Sequence, residues 1–259
     1  MQIVLIGSGN VATALGNLCQ RAGHTILQVY GRNQLTSGRL ADTLGAAAVN
    51  DWAEITRQAD IYLVALPDSF IPGLNQFFLL SQGLALHTAG AVPMHSLAGV
   101  APNFGVLYPL QSLRAGEKPP ELIPLLVDGN SPHDKEQVLA FAQTLSPQVA
   151  FANDEQRLNL HLAAVWANNF TNYLLTEAWE ICREKRVDFK LLLPLINHTV
   201  QRLDTYAPAD MQTGPAIRGD FPTMERHLHL LANRPISSEI YRLLSEAISN
   251  YYRQPKGQK

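Results

Sequence analysis

Cysteine is nearly missing from this chain: there are two in 259 residues, Cys19 and Cys182, far apart and each inside a helical pattern. Such a pair makes neither a disulfide framework nor a CxxC redox motif. An excess of one charge is missing too. Twenty Lys and Arg stand against 22 Asp and Glu, which leaves no basic footprint for nucleic acid. No apolar run approaches the ~20 residues that cross a bilayer, and Met1 leads directly into an apolar strand without a secretory pattern. HExxH, CxxC and GxSxG are all absent. His227 and His229 lie about 200° apart around a helix and cannot share a metal. Nucleic-acid, membrane and metal roles are therefore not expected, and a cytoplasmic enzyme is. The chain does have apolar material, 46% of residues against 16% charged. That is enough for one large domain or two modest ones.

Up to about residue 150 short apolar runs alternate with helical patterns. QIVLI (2–6), TILQVY (25–30), ADIYLVAL (59–66), LALHT (84–88), FGVLYPL (104–110), LIPLLV (122–127) and QVAF (148–151) read as strands. Helices are expected over about 10–22 and 33–44, and Asp51 and Glu54 have capping-box spacing before a shorter one. This alternation predicts an α/β domain with a mainly parallel sheet and helices on both faces. Near-continuous apolar strands suit burial on both sides. Beyond about Asn153 the texture becomes wholly helical, over about 153–186, 188–204, 221–233 and 236–252. Only the tail RQPKGQK reads as frayed. Two domains are expected: a Rossmann-type one over 1–151 and an all-α one over 152–259.

VLIGSGNVATALG (4–16) carries the strongest local signal. Gly7, Gly9 and Ala12 fall on the GxGxx(G/A) positions, directly after a strand and opening a helix. Gly7 allows the tight turn, Gly9 lets the backbone approach a pyrophosphate, and Ala12 lets the helix sit close to the strand. The amides around Ser8, Asn10 and Val11 and the positive helix end then face a diphosphate. An NAD site usually places Asp or Glu about 20 residues further on. This chain has VYGRN (29–33) there, so Arg32 and Asn33 are expected to hold an adenosine 2′-phosphate, which favours NADP(H). Ligands bind at the carboxyl ends of strands in such sheets. Leu66, Pro67 and Asp68 end one strand, with Asp68 or Ser69 also able to cap a following helix. Thr88 and Gly90 end the next and are placed near the nicotinamide ribose. Gln111 and Ser112 end a third, within reach of a substrate.

IGSGNVATAL, GRN, ALPDS and HTAG together resemble the Rossmann half of pyrroline-5-carboxylate reductases and their NADP-dependent relatives. With YPLQSL, HLAAVWANNF (161–170) and TGPAIRGD (213–220), the chain is similar, over nearly its whole length, to Rossmann-like NADP oxidoreductases with a DUF2520 C-terminal domain. The resemblance implies a helical domain like that of 6-phosphogluconate dehydrogenases, NADP, and a dimer; it implies no particular substrate. Thr213, Gly214, Pro215 and Ala216 take a place comparable to the carboxylate-binding loop of pyrroline-5-carboxylate reductases; Arg218 either binds an anion or pairs with Asp220, which is expected to cap the helix beginning near Phe221. β-Hydroxyacid dehydrogenases carry a catalytic Lys three residues before an Asn-Asn pair; here the pair is Asn168–Asn169 and that position is Val165, so their chemistry does not transfer. Deazaflavin-linked relatives begin with a similar glycine turn.

At 100° per residue His161, Val165, Asn168 and Asn172 share one helix face. Polar groups there need partners. Of the side chains on that face only a histidine commonly exchanges protons near neutrality, so His161 is the expected proton donor in a carbonyl or imine reduction, with Asn168 beside it and Asn172 contacting substrate. The alternative is a histidine hydrogen-bonded at a domain interface. AAVWANNFTNYLLTEAWEI (163–181) is apolar on more than one face, which predicts a homodimer through the helical domain. The expected function is hydride transfer between NADP(H) and a C=N or C=O group of a small, carboxylate-bearing substrate, the stripe facing the nicotinamide across a cleft. A non-catalytic nucleotide sensor on the same fold is the rival.

Overall fold

The computed structural model describes residues 1–114, 116, 117, 120 and 122–253. Residues 254–259, most of the tail read as frayed, lie outside them. By packing the chain divides into two compact units, Met1–Phe170 and Thr171–Lys259.

The first unit is built on eight strands: β1 (Gln2–Ile6), β2 (Thr25–Tyr30), β3 (Ala47–Val49), β4 (Ile61–Val64), β5 (Leu84–His87), β6 (Asn103–Pro109), β7 (Leu125–Gly129) and β8 (Val149–Phe151). They form one sheet in the order β3-β2-β1-β4-β5-β6-β7-β8. Every neighbouring pair is parallel except β6 with β7. The near-continuous apolar strands are buried on both faces. Ile3, Leu5, Leu63 and Leu86 pack on one side, while Val4, Ile6, Tyr62 and Val64 pack on the other, as the period-2 pleat requires. Removing one such side chain costs about 2–5 kcal/mol.

Helices α1 (Asn10–Arg21), α2 (Gln34–Leu44) and α3 (Pro132–Leu145) all pack on the face that carries Ile3 and Leu5, while the face of Val4 and Ile6 is covered by Ile71, Leu74 and Leu97 of the connections after β4 and β5. α3 and the short β3 are additions to the elements expected from sequence. α3 has Pro132 in its first turn and the Ser131 hydroxyl accepting the Asp134 amide at 3.1 Å. The region opened by Asp51 is one 3-10 turn (Trp52–Glu54), capped where the Asp51 carboxylate accepts the Ala53 amide at 2.9 Å. The links between β4, β5 and β6 hold 3-10 turns, Ile71–Gln76 and Met94–Leu97, rather than α-helices.

α4 (Asp154–Ala164) begins with a full capping box, Asn153 and Gln156 each bonding the other's backbone amide. The stretch expected as a uniform helix over 153–186 changes pitch at a π-helical segment, Val165–Phe170, before α5 (Thr171–Glu184). The sequence texture changes at the end of β8, Phe151; packing groups α4 and the π segment with the sheet.

The second unit comprises α5, α6 (Leu193–Gln201), α7 (Pro215–Arg218), α8 (Phe221–Leu230) and α9 (Pro235–Arg253). Arg234 and Ser237 both bond the Glu177 carboxylate, tying the start of α9 to α5. Among its described residues only Ala216, Leu231 and Ser238 are buried.

Candidate active site

Gly7, Ser8, Gly9, Asn10 and Val11 line a cavity of about 730 Å³ at the carboxyl ends of β1 and β4, within the usual range for small-molecule sites. Gly7 has a φ of +131°, and a Cβ there would stand 2.2 Å from the Ala65 carbonyl oxygen. The protein itself therefore demands this glycine. Gly9 is different. Its backbone is extended (φ −86°, ψ −167°), and a Cβ added to it would meet nothing within 4 Å. No protein atom excludes a side chain there, which suits a bare backbone left open to a diphosphate. α1 starts without a side-chain cap and without an acidic residue in its first turn, so its positive end is not offset. Ala12 is fully buried and does not line the cavity; it packs α1 on the sheet, the role read from the motif.

Arg32, Asn33, Leu66 and Pro67 also line this cavity, and Arg32 is the one charged residue among those lining it. Asn33 is the α2 N-cap, its Oδ1 accepting the amides of Leu35 (3.0 Å) and Thr36 (3.3 Å). That bonding leaves the Nδ2 donor for a ligand. Three aromatics not foreseen from sequence complete the wall. Tyr30 and Trp52 have ring centroids 3.9 Å apart, Trp52 and Phe70 stack at 6.3 Å, and the Arg32 guanidinium sits 5.7 Å from the Phe70 ring. Tyr30 ends β2, while Trp52 and Phe70 come from the connections after β3 and β4, so only the sheet order brings them together.

Asp68 and Ser69 cap nothing: the 3-10 turn after β4 has no side-chain cap, because the Phe70 amide already bonds the Pro67 carbonyl at 2.9 Å. Asp68, Thr88 and Gly90 do not line the 730 Å³ cavity. The Thr88 hydroxyl instead faces the Val64 carbonyl at 3.4 Å.

A second cavity of about 550 Å³ lies in the same unit, lined by Tyr108, Gln111, Ser112, His161, Asn168 and Asn169 among others. The Tyr108 hydroxyl and His161 Nδ1 are hydrogen-bonded at 2.9 Å, with the rings edge-to-face. Gly90 lies against this pair: a Cβ there would come within 2.8 Å of His161 Nδ1 and 3.0 Å of Tyr108 Cζ. Burial, and then the negative charge of Asp68, push the Tyr108 hydroxyl above its ordinary pKa, against the smaller opposing pull of Arg157. Tyr108 and Asn169 were missed by sequence reasoning. The wider π turn displaces the register expected for a uniform helix, and Asn172, placed by 100° periodicity on the His161 face, is not among the lining residues.

The chain after β5 is clamped to α4. Arg157, 1% exposed, donates to the Val92 carbonyl at 2.6 Å and to Asp154 at 2.7 Å, and Asp154 accepts the Met94 amide at 3.0 Å. His87, buried at the end of β5, accepts the Ala89 amide on Nδ1 at 3.3 Å. Burial, helped by the Arg157 charge, pushes its pKa down to about 4, against the pull of Asp154 and the Pro93 carbonyl.

Asn172, Thr213, Gly214 and Arg218 belong to the second unit. Thr213 and Arg218 are exposed, and Gly214 holds a φ of +114° that favours glycine. The alternative pairing of Arg218 with Asp220 does not form as a direct ion pair among the described residues. Asp220 caps α8 by accepting the Thr223 amide at 3.2 Å.

A mainly parallel sheet, packed on both faces and with a glycine turn at its β1 end, defines the class: Rossmann-type dinucleotide-binding proteins. The family model described as NADP oxidoreductase coenzyme F420-dependent matches residues 2–84, and that of a domain of unknown function, DUF2520, matches residues 123–248. A Bacteroides fragilis protein assigned as an NADP oxidoreductase is 38% identical, with 96% of this chain and 98% of that one covered and a TM-score of 0.90. The chain belongs to that NADP oxidoreductase family. The fold extends to the 1-pyrroline-5-carboxylate reductase of Streptococcus pyogenes (13% identity, 96% and 98% covered, TM-score 0.65). It is shared too by a reductive aminase of Aspergillus terreus solved with NADPH and ethyl-5-oxohexanoate (16% identity, 99% and 95% covered, TM-score 0.72). No curated protein matches the sequence.

Proposed function

We propose that this protein is an NADPH-dependent reductase acting on a C=N or C=O bond of a small, carboxylate-bearing molecule. The observation that carries this reading is the pairing of two cavities in one compact unit. One is a glycine cradle whose single charged lining residue is Arg32; the other holds a titratable His161 beside Asn168 and Gln111. β4 leads into Leu66 and Pro67 of the first, and β6, two strands along the sheet, supplies Tyr108 to the second. Strand spacing separates β4 and β6 by roughly 10 Å.

When bound, NADPH supplies the hydride. The chain's own residues do the rest. The Gly7–Val11 backbone takes the diphosphate, and Arg32 with Asn33 Nδ2 takes the 2′-phosphate. His161 delivers the proton that balances the hydride, converting C=N to CH–NH or C=O to CH–OH, while Asn168 and Gln111 orient the reacting group. Arg218, exposed and without an ion pair among the described residues, takes the substrate carboxylate with Thr213 and Gly214, and Asn172 contacts the substrate. Reductive aminases and pyrroline-5-carboxylate reductases among the fold relatives favour C=N over C=O.

The working form is a homodimer through the helical unit, a reading supported by its unburied apolar side chains. NADPH oxidation across a panel of cyclic imino acids, keto acids and aldehydes tests the reductase reading. His161→Ala should lower turnover by about 10²-fold with NADPH affinity nearly unchanged, the effect of losing a general acid. NADPH binding without turnover on any of the panel overturns it in favour of a nucleotide sensor.

A further inference from the structure

We propose that Tyr108 is a positioning residue that holds His161 in its Nδ1–H form, so that the proton exchanged with substrate is carried on Nε2. The inference rests on the reductase reading for its purpose but not for its geometry. Four features of the first unit converge on it. The Tyr108 hydroxyl occupies Nδ1 at 2.9 Å, which leaves Nε2 as the ring nitrogen for other work. Both residues line the 550 Å³ cavity, so the imidazole is within reach of anything bound there. Gly90 fits the pair closely enough that a Cβ would collide with the imidazole and press on the phenol. α4 itself is pinned one turn earlier by the fully buried Arg157. The ring is thus held by a bond, a packing surface and an anchored helix.

The direction of the hydrogen bond follows from the form of the ring that acts as an acid. A hydroxyl has one hydrogen and two lone pairs. An imidazolium carries a proton on each nitrogen and has no acceptor, so its Nδ1 meets a lone pair of the Tyr108 hydroxyl at 2.9 Å. Nδ1–H then donates to Tyr108 Oη. In the imidazolium both nitrogens carry protons, and only the Nε2 proton is free to leave. As it moves, the Nε2–H bond pair stays on the ring and a new N–H or O–H bond forms on the substrate atom. The neutral ring keeps Nδ1–H on Tyr108. A neutral phenol can do this without ionising, a role the buried carboxylate fills in a Ser-His-Asp triad.

The decisive measurement needs no substrate. In protein labelled with ¹⁵N-histidine and titrated to alkaline pH, His161 should show a protonated Nδ1 and an unprotonated Nε2, the reverse of the form preferred by free imidazole side chains. Tyr108→Phe should return the Nε2–H form with the fold intact by circular dichroism. It should also lower kcat by about 10-fold or more while KM and NADPH affinity change less than twofold. An Nε2–H form in the unmodified protein, or the same tautomer in both proteins, overturns the inference and leaves the reductase reading standing. The Nδ1–H form in a protein that turns over nothing on the panel confirms the geometry and removes its catalytic purpose.

Discussion

Arg32 stands where a dinucleotide site selective for NAD would carry a carboxylate, and the substitution reverses the sign of the field at the rim. Two negative groups in contact across partly desolvated space repel by more than they would in water, whereas a guanidinium can bond a phosphate through two donors at once. NADPH should therefore bind at least ~10-fold more tightly than NADH, about 1.4 kcal/mol. Arg32→Ala should weaken NADPH selectively, with NADH little affected. Calorimetric titration checks both, and equal affinities in the unmodified protein would contradict the assignment. At this scale the sequence was informative where the residues are contiguous. Gly7, Gly9, Arg32 and Asn33 sit beside β1 and β2 in two short motifs, and each lines the cavity. Tyr30 at the end of β2 and Trp52 and Phe70 in the connections carried no such signal, since a lone aromatic looks the same whether it faces solvent, core or ligand. Tyr108, inside β6, escaped notice because its meaning depends on His161, 53 positions away.

Elements with a strong periodic pattern were legible and those defined by their ends were not. β1, β2 and α1 follow from apolar runs and the glycine turn. β3, with three residues, is too short to carry a pattern. The links that settled as 3-10 turns and the π segment after α4 differ from an α-helix by hydrogen-bond register rather than by composition. The clamp between the end of β5 and α4 belongs to this scale and has a measurable consequence. His87 is held neutral with a pKa near 4 against an ordinary 6.5. Between those values the unfolded chain binds a proton that the native chain refuses, so stability falls as pH drops through that window and is flat above it. From pH 6.5 to 5 the loss should be roughly 1.5 kcal/mol. Urea unfolding at the two pH values checks it. His87→Gln should flatten this part of the profile, and an unchanged slope in that variant would remove His87 as its source.

The whole molecule is uneven in how it is sealed. The sheet unit closes its own interior on both faces, whereas α5, α6 and α8 contain no buried residue and Leu191 and Leu195 stand 72% and 64% exposed. Exposed apolar surface on this scale marks an association surface. Light scattering at micromolar concentration should give twice the chain mass, with an interface of at least ~1,200 Å²; the mass of a single chain would refute the dimer. The same imbalance has a temporal side. If the dimer forms as proposed, the amino-terminal unit closes its interior within its own chain, whereas the helices that emerge last wait for a second chain. Maturation then ends in a bimolecular encounter, and refolding from denaturant should show a late phase whose rate climbs with protein concentration while the recovery of the sheet does not.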